Sequence, residues 1–489
     1  MENRVSLRRL IRTKLRGYKF LVVSNREPYE RVHRDGRAEW IRTAGGVTVA
    51  LDPVMQASRG IWVAHGSGSA DQEVVDSSGY VRLPPDSPSY RLKPVWLSER
   101  HEEDYYYGFA NSALWPLCHV AYRRPIFRES HWRAYQQVNE IFAERVAEEV
   151  GEEPAFIFVQ DYHLALLPHM LRQRCPRALI AQFWHIPWPN PEVFRICPWK
   201  QEILEGMLGN DILGFHIRYH CQNFIDTVHL ELEARPDREM TAVVFGGHTT
   251  KIRAFPISID FEDIARRASS LNVRRLAADL RKLYDFPDDV ILGVGADRID
   301  YTKGLPERLE ALDLLLERCP QYRGRLVFFQ AGVPSRMHIE EYRHLDQEVA
   351  ERVAAINAKY GRDGWKPVIF VREHVPLDTL LALYRTARFL IASSLHDGMN
   401  LVAKEFVASQ VNGDGVLVLS SFTGAARELR DAVIVNPYAP EQMSEAIQTA
   451  IEMDPAEVRR RMDRLRERVR ENNVYKWAGD IIRKLLRLT

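Results

Sequence analysis

The sequence lacks an excess of charge of either sign. Its 489 residues include 67 Lys and Arg against 66 Asp and Glu, for a formal net charge of +1. Since proteins that bind nucleic acids carry a basic surface, this balance gives no support to a nucleic-acid partner. The sequence also lacks an apolar run long enough to span a membrane and an apolar signal segment near the N-terminus. We therefore expect a cytoplasmic protein with no nucleic-acid partner and no membrane span.

Cysteines and metal-binding patterns are scarce as well. The five cysteines follow no CxxC or zinc-type spacing: Cys118, Cys175, Cys197, Cys221 and Cys319. This scatter is typical of reduced thiols in a cytoplasmic protein, so we assign none of them a chemical role. No DxD-like acidic pair stands in a loop suited to a metal ion either. The sequence thus predicts no metal and no cofactor.

Short apolar runs rich in β-branched residues alternate with helical stretches from Phe20 onward. Strands covered on both faces of a parallel sheet lose the alternation of apolar and polar residues. Helical crossovers between such strands complete the pattern of an α/β protein. We predict doubly wound α/β domains built on the strands FLVVSN, AFIFVQD, ALIAQFWHI, DILGFH, VILGVGAD, RLVFFQAG, PVIFVRE, RFLIASS, GVLVLSS and AVIVNP.

The length predicts two domains of similar size, because one hydrophobic core does not grow to 489 residues. Pro256, between a strand and a new helix, marks the predicted boundary. The predicted segments are a basic N-terminal arm (1–18), a first Rossmann-like domain (19–256), a second one (257–455) and C-terminal helices (456–489). The arm interleaves basic and apolar residues. We expect a solvated helix there, with an arm that touches a membrane or a partner as the alternative.

Polar side chains follow the ends of strands in both predicted domains. Ligands of open α/β sheets bind beyond the carboxyl ends of the strands, so residues at these places are candidates for a site. Taken singly, each has an ordinary explanation, such as a helix cap for Asp161, a core position for His185 or an ion pair for Arg298. Together they indicate a cleft between two domains that share a ligand. They are Arg26, Asp161, His185, Arg298, Arg336 and Asp397.

These residue types suit a group transfer with an anionic leaving group. Arg298 and Lys303, on one loop, could both reach a diphosphate, the arginine as a fork and the lysine as a point charge. Backbone N–H groups of residues 398–400, where a strand gives way to a helix, could complete the cradle together with Gly46. The same residues also fit a solvated lysine, an ordinary helix cap and a simple glycine turn, so both interpretations stay open at this level.

Taken in order, the motifs resemble those of the trehalose-6-phosphate synthase family of retaining, nucleotide-sugar-dependent glucosyltransferases. The match is collinear from VVSNR to VIVNPY and includes GFANSALWP, QDYHLALLP, HIPWPNPEVFR, ILEGMLGNDILGFH, RIDYTKGLPER, DGMNLVAKEFVA and GVLVLSSFTGAARE. The resemblance implies a GT-B architecture, with two Rossmann-like domains facing a cleft and the final helix crossing back onto the first domain. It also implies that the first domain serves the acceptor and the second the nucleotide sugar.

The resemblance implies UDP-glucose as the donor. Position by position, Arg298 and Lys303 would bind the diphosphate, Glu405 the ribose hydroxyls and Asp397 the transferred glucose. His185 would touch the donor sugar or its phosphate. The other donor-binding residues that it implies are Gly46, Gly398, Met399, Asn400 and Leu401.

The implied acceptor is glucose-6-phosphate. Its phosphate would be clamped by Arg26 and Arg336 with help from Tyr106, and its ring would be held by Trp115 and Asp161. Without the resemblance, the two aromatic residues would be interpreted as core residues. The implied catalytic residues are Asp161, His185, Arg298, Lys303 and Asp397. Small-molecule substrates are thus the expected partners, and whether the chain forms a homo-oligomer is left open.

The reaction implied by the family is a front-face transfer with retention. No nucleophile pair is evident, and in such a transfer the leaving phosphate accepts the proton of the attacking hydroxyl. One position departs from the family, because His65 in WVAHGSG stands where a tryptophan is usual near the acceptor.

Two alternatives follow from these features. Glucosylglycerol-phosphate synthase, which uses glycerol-3-phosphate, is the nearer one, and NREPYE resembles that branch, whereas Arg336 favours a hexose phosphate. A non-catalytic regulatory homologue is the other. It predicts erosion of the donor positions, but all four of them are present: Arg298, Lys303, Asp397 and Glu405.

Overall fold

The computed structural model describes residues 2–43, 45–237, 239, 241–287, 289–362 and 364–488. The chain divides into two compact units, the first formed by residues 1–257 with 474–489 and the second by residues 258–473. The C-terminal residues that belong to the first unit begin at residue 474, whereas the predicted C-terminal segment begins at residue 456. The helix of residues 455–471 belongs to the second unit.

The first unit is built on a ten-stranded sheet and a separate two-stranded ribbon. The sheet has the order β10-β11-β12-β9-β8-β7-β1-β4-β6-β5, and its seven strands from β12 to β6 are parallel. β2 and β3 form the ribbon. The strands are β1 Lys19–Arg26, β2 Tyr29–Arg34, β3 Arg37–Arg42, β4 Ile61–His65, β5 Val81–Leu83, β6 Tyr90–Val95, β7 Ala155–Gln160, β8 Leu179–Phe183, β9 Ile212–Phe215, β10 Arg235–Asp237, β11 Ala242–Phe245 and β12 His248–Ala254.

Helices connect these strands. They are α1 Arg4–Lys14, α2 Gly46–Ser58, α3 Glu99–His101, α4 Trp115–His119, α5 Glu129–Val150, α6 Leu167–Arg174, α7 Pro191–Phe194, α8 Lys200–Met207 and α9 Arg218–Glu231. A π-helix, Glu102–Leu114, joins α3 to α4, and 3-10 turns occupy Asp71–Val74 and Tyr162–Leu164.

The second unit is built on a six-stranded, fully parallel sheet of order β15-β14-β13-β16-β17-β18. Its strands are β13 Ile291–Arg298, β14 Leu326–Val333, β15 Val368–Val371, β16 Phe389–Ala392, β17 Val416–Ser420 and β18 Val433–Val435. Its helices are α10 Phe261–Ala268, α11 Leu271–Leu283, α12 Leu305–Arg318, α13 Glu340–Tyr360, α14 Leu377–Thr386, α15 Leu401–Ser409, α16 Pro440–Glu452 and α17 Pro455–Glu471, with 3-10 turns at Tyr301–Lys303, Pro320–Tyr322 and Gly424–Arg427.

Both sheets are doubly wound, which confirms the predicted fold class. In the second unit the chain builds outward from β13 to β15, then returns to β16 beside β13 and builds in the other direction. The first unit reverses in the same way between β1 and β7. The apolar strand runs of the sequence are buried, as in Leu21 to Val23 and Phe389 to Ile391. The antiparallel edge strands and the β2–β3 ribbon were not predicted.

The basic N-terminal arm is not the solvated helix that we expected. Its helix α1 packs against α2 and against the last helix, α18 Val474–Leu485. Leu7, Ile11 and Leu15 are buried on the face of the helix that is turned inward, while its basic side chains face outward. These three apolar residues of the arm therefore belong to the core of the first unit. Among the described helices, none combines the length and the apolar character that crossing a membrane requires.

Candidate functional site

The predicted residues of the second unit collect where its sheet reverses direction. β13 ends at Arg298 and β16 ends at Ala392, and the two strands are neighbours. Asp397 follows in the loop after β16, and Lys303 ends the 3-10 turn after β13. A reversal of strand order opens a crevice at the carboxyl ends of the strands, which is where doubly wound sheets bind ligands.

A lysine and a carboxylate face each other at this reversal. Lys303 Nζ lies 2.5 Å from Asp397 Oδ2, and both side chains are mostly buried. The same carboxylate oxygen accepts a hydrogen bond from Ser394 Oγ at 3.1 Å and from Asn400 Nδ2 at 3.5 Å. Its backbone is held too, because its N–H donates to Phe422 O and its carbonyl accepts from Gly424 N. The carboxylate is therefore fixed in direction before any ligand arrives.

The turn that follows Asp397 needs Asn400 at its end. Asn400 has φ +80° and caps α15, since its side chain accepts a hydrogen bond from Ala403 N at 3.0 Å. Asparagine tolerates this left-handed conformation better than most residues. Gly398 and Met399 are buried beneath the turn, and Leu401 opens the helix. The cap interpretation and the ligand interpretation of the sequence thus concern the same turn, and the cap is confirmed.

Asp300 organises the arginines beside this pair. It is fully buried, with Arg336 Nη1 at 3.3 Å and Arg298 Nη2 at 3.8 Å from its Oδ2. Burial alone would raise the pKa of the Asp300 carboxyl, but the charges of Arg336 and Arg298 outweigh burial and hold the pKa below its ordinary value. Arg336 also donates to Tyr342 Oη at 2.5 Å. The two predicted anion-binding arginines are thereby brought to one carboxylate.

Sequence reasoning missed Arg308, a residue whose hydrogen bonds hold the end of β13 and the segment after β16 in place. Arg308 is fully buried and its Nη1 lies 2.7 Å from Asp297 Oδ2. Its Nε donates to Ser393 Oγ at 3.0 Å, and that hydroxyl donates to the carbonyl oxygen of Gly304 at 3.0 Å. Burial raises the pKa of Asp297 in spite of this pairing.

Glu405, for which a ribose contact was implied, lies further along α15 and is partly exposed.

In the first unit, the predicted residues also follow the strands that flank a reversal. Arg26 ends β1 and Asp161 follows β7. Arg26 Nη2 donates to Tyr106 Oη at 2.8 Å, and the ring of Tyr106 stacks on His163 with centroids 5.7 Å apart. Tyr106 is carried by the π-helix, and its carbonyl accepts a hydrogen bond from Asn111 Nδ2 at 2.7 Å. An arginine and a phenol are thus held together at this edge of the sheet.

Asp161 and His185 are joined directly. The backbone N–H of His185 donates to Asp161 Oδ1 at 3.1 Å, and His185 Nε2 lies 2.9 Å from Gln160 Oε1. Asp161 has φ +70°, a strained conformation for a residue other than glycine. Burial, with the nearby His216 and His163, holds the pKa of His185 well below its ordinary value, so its ring is neutral at neutral pH.

The remaining predicted residues of this unit surround that group less directly. Trp115 begins α4, and its ring packs 5.9 Å from that of Tyr162, which follows Asp161 in the chain. Gly46 begins α2 and is exposed. His65, the departure from the family pattern, pairs with Arg26 in the register of β1 and β4, and its Nδ1 lies 3.1 Å from Val95 O.

A buried pair of acids beside Arg26 was not predicted. Glu27 and Asp71 are 1% and 3% exposed, and their side chains share a hydrogen bond. Glu27 accepts from Ser67 N at 2.8 Å, and Asp71 accepts from Arg31 N at 2.7 Å. Burial, helped by the hydrogen bond to Asp71 and its charge, raises the pKa of Glu27 to about 9. A protonated acid therefore ties the loop after β1 to the loop after β4.

Two features concern metals and thiols. The five cysteines are buried and free, as predicted. Among the described residues, no three His, Cys, Asp or Glu side chains are grouped so that they could hold a metal ion. The charged groups described at the site include the side chains of Lys303, Arg298 and Arg336.

The sequence is similar to those of known proteins. The model of the family described as glycosyltransferase family 20 matches residues 18–487. Trehalose-6-phosphate synthase of Mycobacterium sp. (strain KMS) is 39% identical over 468 residues, which cover 94% of this chain and 93% of that protein. The enzyme of the same name from Mycobacterium leprae is 39% identical over 471 residues, covering 95% and 93%.

Solved structures share the fold of this chain. An α,α-trehalose-phosphate synthase (UDP-forming) from Burkholderia xenovorans, in complex with glucose-6-phosphate, superimposes with a TM-score of 0.85 at 30% identity, covering 96% of this chain and 99% of that one. The Escherichia coli protein bound with UDP-2-fluoro glucose superimposes with a TM-score of 0.84 at 30% identity, covering 96% and 100%.

Proposed function

The chain belongs to glycosyltransferase family 20, within its trehalose-6-phosphate synthases, and we propose that it transfers glucose from UDP-glucose to glucose-6-phosphate with retention and without a metal ion. The products would be α,α-trehalose 6-phosphate and UDP. The fold is GT-B and the chain is a glycosyltransferase, so both of these predictions are confirmed. The observation that carries the proposal is the Lys303–Asp397 pair at the strand reversal of the second unit.

The donor is proposed to bind at that reversal. Lys303 and Arg298 would hold the diphosphate of UDP-glucose, since Lys303 contacts Asp397 and Arg298 ends β13, the neighbour of β16. Asp397 would accept hydrogen bonds from the hydroxyls of glucose, a role that suits a carboxylate fixed by Ser394 and Asn400. The backbone of residues 398–401 and the side chain of Glu405 would complete the contacts to the nucleotide sugar, together with Gly46. These roles rest on the family resemblance and on this placement.

The acceptor phosphate is proposed to bind Arg26 and Arg336. A phosphate dianion favours two guanidinium forks, and Tyr106, bonded to Arg26, would add a neutral donor. Trp115 and Asp161 would hold the ring of the acceptor. Two solved structures of similar proteins support the same pair of substrates: the Escherichia coli protein bound with UDP-2-fluoro glucose and the Burkholderia xenovorans enzyme in complex with glucose-6-phosphate.

The proposed reaction needs alignment and charge stabilisation more than acid–base groups. The hydroxyl at C1 of the acceptor attacks C1 of the donor glucose on the face from which the diphosphate leaves. The bond between C1 and the phosphate oxygen breaks, and a phosphate oxygen takes the proton of the attacking hydroxyl. Lys303 and Arg298 stabilise the negative charge that grows on the departing diphosphate, a type of stabilisation that is usually the largest contribution to catalysis. These fixed cations supply the charge that a metal ion would otherwise provide.

The position of His65 favours testing a second acceptor. His65 lies beside Arg26 in the sheet, so a residue that departs from the family pattern adjoins a proposed phosphate ligand. A smaller acceptor, glycerol-3-phosphate, would then give a glucosylglycerol phosphate. The donor site would be unchanged, since every donor position is in the other unit except Gly46 and His185.

The test is the release of UDP from UDP-glucose with each acceptor supplied separately, in the presence and absence of a chelator. We expect turnover with glucose-6-phosphate that the chelator leaves unchanged, and a product that phosphatase converts to a disaccharide of the mass of trehalose. Turnover with glycerol-3-phosphate and none with glucose-6-phosphate would contradict the proposed acceptor and identify glycerol-3-phosphate in its place. Loss of turnover on chelation would contradict the metal-free reaction.

A further inference from the structure

The second unit contains an open cavity at its surface, lined by exposed arginines, that the proposed reaction does not use. Its volume is about 300 Å³, and it is lined by Arg427, Glu428, Arg430, Arg468 and Asn472. This size lies at the lower end of the range of about 300–1,000 Å³ that is usual for small-molecule sites. None of these residues belongs to the donor or acceptor positions described above. The cavity is therefore a candidate for a separate ligand.

The three arginines of the cavity lack carboxylate partners. Among the described residues, no Asp or Glu oxygen lies within 4.0 Å of the guanidinium groups of Arg427, Arg430 or Arg468. Neighbouring arginines differ, since Arg464 is paired with Asp431 at 2.7 Å and Arg470 with Glu262 at 3.2 Å. Three uncompensated guanidinium groups around one cavity favour an anion.

The one acid of the cavity does not cancel this charge. Glu428 Oε2 lies 2.5 Å from Lys404 Nζ, and the Lys404 side chain is 1% exposed. A buried lysine of this kind needs its carboxylate, so Glu428 stays committed to it. The field in the cavity is consequently set by the arginines. Guanidinium forks match the oxygens of phosphate groups, and three of them suit a ligand with more than one phosphate charge.

The cavity is connected to the donor turn through a short stretch of backbone. Arg427 ends the 3-10 turn Gly424–Arg427, whose Gly424 N donates to Asp397 O at 3.2 Å and whose Ala425 N donates to Met399 O at 2.9 Å. The backbone of the 3-10 turn is in close contact with the turn after Asp397, because a Cβ on Gly424 would lie 2.0 Å from Gly398 O. A ligand that moves Arg427 thus acts on the turn that carries Asp397.

We propose that Arg427, Arg430 and Arg468 form a binding site for a small phosphate-bearing anion, such as a diphosphate or a phosphate ester, and that its occupancy changes the affinity of the donor site for UDP. The coupling rests on the proposed donor site, whereas binding of the anion does not. Coupling between two sites is reciprocal, so UDP must change the affinity for the anion by the same factor.

The experiment is a calorimetric titration of inorganic diphosphate into the full chain at low ionic strength, with saturating UDP and glucose-6-phosphate to block the other phosphate sites. We expect one residual binding event. Arg427→Gln and Arg468→Gln should each weaken it by about tenfold or more, the effect of one lost hydrogen bond to a charged group. Arg318→Gln, an exposed arginine of the same unit outside the cavity, is the matched control.

Two titrations decide the proposal. No residual binding, or binding that Arg318→Gln weakens as much as the cavity variants do, would overturn the site, since only diffuse surface attraction would remain. In a second titration, UDP is added with and without diphosphate to wild type and to the Arg427→Gln/Arg468→Gln variant. A shift of the UDP dissociation constant in wild type alone supports the coupling, and an equal constant in all four titrations overturns it. A chain that binds diphosphate but no UDP would instead contradict the proposed donor site.

Discussion

Lys303 Nζ and Asp397 Oδ2 lie 2.5 Å apart where the sheet of the second unit reverses direction. In the proposed reaction the two side chains serve opposite sides of one bond, the lysine at the leaving diphosphate and the aspartate at the transferred glucose. Their contact aligns the two roles before the donor binds, because each charge orients the other. The cost of burying them is offset by the hydrogen bonds that Ser394 and Asn400 donate to the carboxylate.

Removal of Arg298 is expected to abolish transfer without unfolding the protein. Arg298 is partly exposed, and its partner Asp300 keeps Arg336 and the Thr302 N–H in the variant. We expect Arg298→Ala to lower kcat/KM by about 100- to 1,000-fold, as the loss of one preorganised donor to a developing charge does. Steady-state kinetics and the thermal midpoint give the two readouts, with Arg318→Ala as the control. Near-normal turnover in Arg298→Ala would refute its role at the diphosphate.

Substitution of Arg336 is expected to affect the acceptor and not the donor. Arg336→Lys keeps a positive charge near the buried Asp300 but loses the fork that fits a phosphate. We expect the KM for glucose-6-phosphate to rise about tenfold while the KM for UDP-glucose stays within twofold, as the loss of one charged hydrogen bond predicts. Tyr342→Phe removes the hydroxyl that contacts Arg336 and Asp300 but keeps both charges, so it is the matched control and should change either KM much less. A rise confined to the KM for UDP-glucose would reassign Arg336 to the donor.

Removal of Arg308 from its buried ion pair with Asp297 is expected to destabilise the folded protein. Arg308→Met leaves a buried carboxylate without its partner, so we expect the free energy of unfolding to fall by about 3–5 kcal/mol. The double variant Arg308→Met/Asp297→Leu removes both charges and should recover much of that loss. Urea unfolding of both variants measures the difference. A double variant less stable than the single one would show that the charge of Asp297 is compensated by another group.

Glu27 is expected to make stability fall as pH rises. Its pKa is about 9 in the folded protein against 4.5 in the unfolded chain, so between these values the folded state binds the extra proton. Stability is then highest near the lower value and declines through the window up to the higher one. Glu27→Gln is neutral at every pH, so its thermal midpoint should exceed that of wild type at about pH 8 and vary less with pH.

The control for this prediction lies three residues further along the chain, in β2. Glu30→Gln removes a partly exposed carboxylate near Ser67 and should keep the slope of the wild type. If Glu27→Gln showed that slope as well, Glu27 would be ionised in the folded protein, contrary to its environment.

Sequence reasoning located the strand-end residues because local patterns mark them. Arg298, Lys303 and Asp397 each follow an apolar strand run, and parallel strands bring their carboxyl ends to one edge. The supporting residues carry no such mark. Arg308 lies inside a helix whose pattern is ordinary. Of its partners, Asp297 lies in β13 and Ser393 directly follows β16. Only the folded sheet brings them together.

Two further features show the same limit. Glu27 and Asp71 come from loops after different strands, so nothing in either segment indicates that one of the two acids keeps its proton. The N-terminal arm was expected to be solvated because basic residues dominate it. Its apolar residues, Leu7 and Ile11 among them, find their partners in α2 and in α18 at the other end of the chain. Partners so distant in sequence leave no local signal.

The most direct test of the central claim is the structure of the product formed from UDP-glucose and glucose-6-phosphate, determined by proton NMR after phosphatase treatment. The account predicts α,α-trehalose, whose two equivalent anomeric protons are both equatorial and give a single signal with a small coupling constant. A β-linked anomeric proton, or free glucose with no disaccharide, would contradict it.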